Sequence, residues 1–230
     1  MSAADTTEQQ QPASNAGSTT AASSTREAIL QAARQRFLHY GYKKTTIDEI
    51  AADAGVGKGT VYLYFDGKED LLVTLALEVK RNITEQMRAI AAASLTAPED
   101  RLRRMILACI GSVYDACTAS PHGAEMVDEI MLQMRARGDY QEHFARETET
   151  QHEVLAGVLA EGARMGRLDV PDPKRSARLV MTAFAAFFPP YRCPATPNTE
   201  GSNTRAELEA GANELVDLLL AGLLRRRTSA

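Results

Sequence analysis

The chain has 230 residues, enough for one compact domain or a small module joined to a larger one. It is 44% hydrophobic but only 6% aromatic, without Trp, and Ala and Leu dominate its apolar set, which favours helix over sheet. The formal charge of −4 excludes a global basic field, so any nucleic-acid contact has to come from a local face.

Residues 1–23 are small and polar and read as a disordered tail. Order is expected from Ser24, which forms an S-x-x-E capping box with Glu27, and Ile29, Ala33, Phe37 and Tyr40 then recur at helical spacing up to Gly41. A second box, Thr46 with Glu49, opens a short helix with Ile47, Ile50, Ala51 and Ala54 on its apolar face, ended by Gly55. A two-turn helix fits residues 58–64. A third box, Asp66 with Glu69, opens a long helix with Leu71, Leu72, Leu75 and Val79 inward, running toward Pro98. Residues 46–65 therefore read helix, tight glycine-containing turn, short helix, which is a helix-turn-helix layout.

The rest is also predicted helical. Helix five fits 98–118, after Thr96 and Glu99, and helix six starts near Ser120-Pro121. Helix seven fits 139–166. Helix eight opens at Asp172-Pro173 and is stopped by Pro189-Pro190. Helix nine opens at Thr204 with Glu207, beyond a Pro-, Asn- and Gly-rich linker at 189–203.

Gly55, Gly57 and Gly59 surround Lys58 and precede Thr60, a composition suited to holding phosphate. A nucleotide loop of the form G-x-x-x-x-G-K-[ST] would put Ala52 at its first glycine and Gly59 at its hydroxyl, and both fail. A dinucleotide fingerprint follows a strand, whereas this run follows a helix. The phosphate of a DNA backbone fits better. A helix N-terminus offers free N–H groups and a favourable dipole, and small residues let the backbone come close. Lys58 adds charge and Thr60 a hydroxyl, while the phenols of Tyr62 and Tyr64 reach phosphates or base edges. Val56, Val61 and Phe65 face inward. Thr46 and Lys68 stand at the starts of two further helices on the same face.

Residues 24–84 resemble the DNA-binding domain of TetR-type transcriptional repressors. The likeness rests on G-Y-K-K-T-T after the first helix, A-G-V-G-K-G-T-V-Y-L-Y-F across the turn and short helix, and Lys68-Glu69 opening helix four. It implies DNA contacts at Thr46, Lys58, Gly59, Thr60, Tyr62, Tyr64 and Lys68. Gly57 stands where the family usually has an N-capping serine, so its contact is limited to its N–H, and it caps less well by a few tenths of a kcal/mol. Residues 26–90 hold ten Lys/Arg against nine Asp/Glu, which makes this the one part of the chain that is not acidic.

In the second half, Met105, Met126, Met131, Met134, Met165 and Met181 fit an adaptable apolar pocket. The candidate effector residues are Met105, Cys109, Val113, Met126, Met131, Met134, Phe144, His152, Leu155 and Met181. The acidic residues Glu125, Asp128 and Glu129 read as a solvated face or a site for a cationic effector. Helix nine is apolar on two faces, one with Leu208, Leu215, Leu219 and Leu223, the other with Val216, Leu220 and Leu224. A helix with two apolar stripes needs two partners. Helices eight and nine of two subunits are therefore expected to form an isologous four-helix interface through Phe184, Phe187, Phe188, Leu215, Leu219 and Leu223, the dimer that the resemblance also implies.

The expectation is an all-α regulator with a tail at 1–23, a DNA-binding domain at 24–84 and an effector-binding and dimerisation domain at 85–230. Its partners are a near-palindromic duplex operator, a second copy of itself and a small apolar effector; a peptide effector, or none, is the alternative. No nucleophile–base pair supports an enzyme. Cys109, Cys117, Cys193 and the four histidines lack metal-ligand spacing, so neither metal nor cofactor is expected. With no apolar run of about 18 residues and no secretory leader, the expected location is the cytoplasm, away from membranes.

Overall fold

A computed structural model describes residues 16–188 and 204–224. Among them the chain is all-α: α1 (Ala16–Tyr40), α2 (Ile47–Asp53), α3 (Lys58–Tyr64), α4 (Lys68–Ala91), α5 (Pro98–Thr118), α6 (Gly123–Ala136), α7 (Gly138–Arg164), α8 (Pro173–Ala183) and α9 (Arg205–Leu223). An isolated bridge pairs Leu168 with Leu224 and ties the α7–α8 link to the end of α9. No helix among the described residues is long and apolar enough to cross a membrane.

Two hydrophobic cores organise the helices. The first gathers Ile29, Ala33 and Phe37 of α1, Ile50 and Ala51 of α2, Val61 of α3, Phe65, and Leu71, Leu72 and Leu75 of α4. The second gathers Ile83 and Met87 of α4 with Met105, Ile106 and Ile110 of α5, Leu155 and Leu159 of α7, Val180 of α8, and Leu208, Val216 and Leu220 of α9. Helix α4 thus belongs to both. Its 24 residues span roughly 36 Å, and its apolar stripe passes from one core to the other. Met126 and Ile130 of α6 pack against the first core.

Three helix starts follow their local caps. Thr46 and Glu49 make both hydrogen bonds of the capping box. Asp172 accepts from the Arg175 N–H, and Thr204 with Glu207 forms a second complete box. The positive φ of Gly41 (87°) and Gly55 (68°) ends α1 and closes the turn after α2, conformations that only glycine adopts readily.

Other starts depart from expectation. Helix α1 begins at Ala16, so Ser24 lies inside it and the Ser24–Glu27 box is no helix start; residues 16–23 are helical rather than tail-like. The rest of the predicted tail lies outside the described residues. Helix α4 is capped by Gly67 rather than Asp66, because Glu69 accepts the Tyr42 hydroxyl at 2.9 Å while the Asp66 N–H turns to Asp70 Oδ2 at 3.1 Å. Helix α5 has Ala97 at its N-cap; Glu99 is drawn to the Arg167 guanidinium instead of capping with Thr96. Helix α6 starts at Gly123, since the Ser120 hydroxyl accepts the His122 N–H at 2.9 Å and holds a turn before it.

Helix α8 stops at Ala183, short of Pro189. The chain tightens into a 3-10 turn over Ala185–Phe187, which sends the Phe184 ring into the second core and sets Phe187 against it at 5.8 Å between ring centroids. The predicted linker 189–203, with Cys193, lies outside the described residues. In α9 the buried stripe is Leu208, Ala212, Val216 and Leu220, so Leu208 belongs with Val216 and Leu220 and not with Leu215, Leu219 and Leu223.

Candidate nucleic-acid interface and apolar cavity

Helices α2 and α3 are joined by the turn 54–57, and α3 is held by Val61, fully buried, and by Phe65 just beyond its end. A salt bridge from Arg36 of α1 to Asp53, with Nε–Oδ2 at 2.5 Å and Nη2–Oδ1 at 2.9 Å, clamps the end of α2. This bond holds the Asp53 carboxyl below its usual range. Glu49 is likewise held low, first by the Thr46 backbone N–H and then by its hydroxyl. The first three helices are therefore fixed to one another by a core below and ionic clamps at the edge.

The outward side of this unit carries most of the residues singled out in the sequence. Thr46, Gly57, Lys58 and Gly59 are exposed, and Thr60 is partly so. Gly57 is the N-cap of α3, with φ −76° and ψ 151° and no side-chain cap. A Cβ at Gly59 would meet nothing within 4 Å, so the backbone there is open to close approach. Lys58 Nζ donates to Asp48 Oδ2 at 2.8 Å, and this bond raises its pKa. Tyr62 is 51% exposed, whereas Tyr64 packs partly against the first core. Lys68 turns inward. Its amine donates to the carbonyls of Tyr42 and Thr45, both at 3.0 Å, and lies 4.3 Å from the Tyr42 ring centroid. Its charge thus orders the α1–α2 loop. Leu63, not anticipated from the sequence, is 82% exposed beside Tyr62 and gives α3 an apolar contact surface.

A cavity of about 690 Å³ opens between the two cores. Its walls come from six helices, including Phe37 and Leu38 of α1, Leu72 to Ile83 of α4, Cys109 and Val113 of α5, Met126 and Met131 of α6, Phe144 and His152 of α7, and Met181 of α8. Seven of the ten predicted pocket residues therefore share it: Cys109, Val113, Met126, Met131, Phe144, His152 and Met181. Met105 and Leu155 do not: each lies one helical turn from a lining residue, Met105 from Cys109 and Leu155 from Gln151, and is fully buried inside the second core. Met134, a turn past Met131, also lies off the lining. Met165 is the exposed C-cap of α7.

The polar groups of the lining are few. Gln151 is 3% exposed and donates to the Lys80 carbonyl at 3.3 Å and to the Thr84 hydroxyl at 3.2 Å. Its Oε1 accepts from Lys80 Nζ at 3.3 Å. Arg34 is paired to Glu78 at 2.7 Å. Burial pushes the Cys109 thiol up to about 12, which makes it a packing group and no nucleophile. Lys80, Gln151 and the α1 and α4 wall were not anticipated. Their only sequence signal is that Leu72, Ala76, Val79 or Lys80, and Ile83 fall on one helical stripe. Of the acidic trio, Glu125 accepts the Lys43 N–H at 2.7 Å and so joins α6 to the loop after α1.

The predicted interface residues divide. Phe184 is 1% exposed within its own chain and has no surface to offer a partner, which corrects its assignment. Phe187, Phe188, Leu215, Leu219 and Leu223 are partly buried along the edge of the second core. The fully outward apolar residues of α8 and α9 are Leu179 at 61% and Leu218 at 72%.

Residues 29–75 match the model of bacterial regulatory proteins of the tetR family. The chain is 29% identical over 140 residues to the fatty acid metabolism regulator protein of Bacillus subtilis, covering 61% of this chain and 69% of that one. Among solved structures, a candidate TetR-family transcriptional regulator from Mesorhizobium loti superposes with a TM-score of 0.69 at 20% identity, covering 89% of this chain and 98% of that one. SmeT, the repressor of the Stenotrophomonas maltophilia multidrug efflux pump SmeDEF, superposes with a TM-score of 0.59, also at 20% identity, over 90% and 95% of the two chains; SmeT also forms a complex with triclosan. At that identity the structural likenesses speak to the fold.

Proposed function

We infer the following working cycle for this chain, which is a DNA-binding transcriptional regulator of the TetR type. It acts as a homodimeric repressor that binds a near-palindromic operator in the cytoplasm and leaves it when a small apolar effector fills the cavity. In this reading residues 24–84 form the DNA-binding domain, with the helix-turn-helix at 46–65, and residues 85–230 bind the effector and dimerise. Thr46, Gly57, Lys58, Gly59, Thr60 and Tyr62 face the duplex, with Tyr64 and Lys68 supporting that face from beneath. Lys58 and the open N-terminus of α3 meet phosphate, while Tyr62 and Leu63 reach into the groove.

The observation that carries the cycle is the position of the cavity. One wall is Phe37 of α1 together with Leu72 and Leu75 of α4, residues of the core that holds α2 and α3. A molecule entering there touches the DNA-binding unit directly, so occupancy and the setting of α3 are coupled through packed side chains. Walls from six helices suit a compact molecule better than a peptide. The binding of triclosan by SmeT supports the same use of the fold.

Selection of duplexes from a random pool by the purified protein tests the cycle. The expected result is an enriched two-fold-related site whose binding weakens steeply with salt. Recovery of no preferred sequence would overturn the repressor reading. Effector control is then read as release of that duplex by a panel of apolar molecules.

A further inference from the structure

We infer that the effector is an apolar molecule bearing one carboxylate, and that this carboxylate docks on the amine of Lys80; the inference rests on the reading of the cavity as the effector site. Lys80 sits on the α4 stripe that lines the cavity, between Val79 and Ile83. Its ammonium has three donors. One meets Gln151 Oε1 at 3.3 Å, and the described residues place no carboxylate within 4.0 Å of it. The acids that face this region are otherwise engaged. Glu78 holds Arg34, and Glu147 stands beyond ion-pair range and accepts from the Thr84 hydroxyl at 3.5 Å.

Gln151 is not free to rotate toward a different role. Its amide nitrogen is fixed on the Lys80 carbonyl and the Thr84 hydroxyl, so its oxygen is presented to the amine. The result is a cation oriented by one neutral acceptor in a largely apolar wall, where the other basic side chains, Arg34 and His152, already face the carboxylates of Glu78 and Glu149. Burial pushes its pKa down, against smaller upward pulls from Cys109 and from Glu147. A lysine so placed costs stability, because its one hydrogen-bond acceptor, Gln151 Oε1, is neutral and no carboxylate stands within ion-pair range. A carboxylate entering with an apolar body would supply the missing counterion and a charge-assisted hydrogen bond while the body displaces water from the apolar walls. A cationic ligand meets repulsion there, and a neutral one leaves the amine as it was. The volume of about 690 Å³ lies within the usual ~300–1,000 Å³ of small-molecule sites.

The test is calorimetric titration of the full chain with decanoate, hexadecanoate and lithocholate, each beside its methyl ester. At least one acid is expected to bind about 10- to 100-fold more tightly than its ester, the range of a charge-assisted hydrogen bond. Lys80→Met and Lys80→Gln should abolish that preference while leaving ester affinity in place. Lys80→Met should also raise the melting temperature of the ligand-free protein, which shows that the variant folds and that the amine is a cost to the empty cavity. Esters binding as tightly as acids, or an acid preference that survives both substitutions, would overturn the inference and leave the cavity reading standing. If no acid or ester binds or releases the selected duplex, the effector reading falls with it.

Discussion

Lys58 Nζ lies 2.8 Å from Asp48 Oδ2, so the first residue of α3 is neutralised by the first turn of α2 on the face assigned to DNA. Both side chains are more than half exposed, and a phosphate competes with Asp48 for the amine. Asp48→Asn should therefore tighten binding to any duplex and steepen its salt dependence by about one unit of slope, because Lys58 is released to phosphate. Lys58→Ala should weaken binding and flatten the slope by a similar amount. Anisotropy titrations of the selected operator at several salt concentrations measure both. Unchanged binding in both variants would remove this corner of α3 from the interface.

Tyr62 and Tyr64 are two residues apart on α3 and face different surroundings. Tyr62 is half exposed, while Tyr64 packs partly on the first core. Tyr62→Ala should lower operator affinity at least several-fold with a melting temperature close to wild type. Tyr64→Ala should cost about 1–2 kcal/mol of stability. Paired thermal melts and DNA titrations separate the two, and a stable Tyr64→Ala with a destabilised Tyr62→Ala would reverse the assignment of the helix faces.

The contrast shows what was legible in the sequence. Caps at Thr46, Asp172 and Thr204 could be read because the bond from cap to third residue is local. The same pattern at Asp66 and Thr96 misled because its acid was claimed from far along the chain, Glu69 by Tyr42 and Glu99 by Arg167. At Ser24 it misled because the helix was already under way. Periodicity likewise placed Met105 and Cys109 on one helix without telling which borders a void and which fills a core. Lys80 escaped notice because a lysine on a long helix ordinarily marks a solvated face. Only the packing of α7 across α4 turns that position into a cavity wall.

Gly57 has the backbone of an ordinary N-cap, with negative φ, so a side chain is accommodated without strain. A Cβ there would stand 3.9 Å from the Thr60 hydroxyl, an ordinary contact. Gly57→Ser should add a side-chain acceptor for the free N–H groups of α3 and stabilise the protein by a few tenths of a kcal/mol. A small rise in melting temperature is expected, with DNA affinity unchanged or slightly higher. A clear fall in stability would mean that α3 does not begin at Lys58.

Acid should loosen the DNA-binding unit first at its carboxylate clamps. Glu49 and Asp53 have folded pKa values depressed by hydrogen bonds from Thr46 and Arg36. A depressed carboxylate contributes stability that is complete above its unfolded pKa, about 4, and is lost as pH falls through the folded value. Melting temperature should therefore drop below about pH 4. Glu49→Gln should be less stable than wild type at pH 7 and show a shallower drop. Parallel curves for the two proteins would show that Glu49 carries none of the acid sensitivity.

On α9 the surface available to a second subunit is defined by what the chain has already used. Leu208, Ala212, Val216 and Leu220 are spent on the internal core, and Leu215, Leu219 and Leu223 are half spent at its edge. Leu218 is 72% exposed on α9, and Leu179 is 61% exposed on α8. Large apolar residues left outward on both helices of the proposed seam are what a dimer would cover. Leu218→Arg should leave the fold intact, since an exposed substitution ordinarily changes stability by no more than about 0.5 kcal/mol, and should shift the protein toward monomer. Leu220→Arg, which forces an unpaired charge into the core, should prevent folding instead. Light scattering over a range of concentrations, with a melt of each variant, distinguishes these outcomes. A folded Leu218→Arg that stays dimeric would move the seam away from this face of α9. A wild type that is monomeric at every concentration would overturn the homodimer itself, and with it the two-fold symmetry expected of the operator.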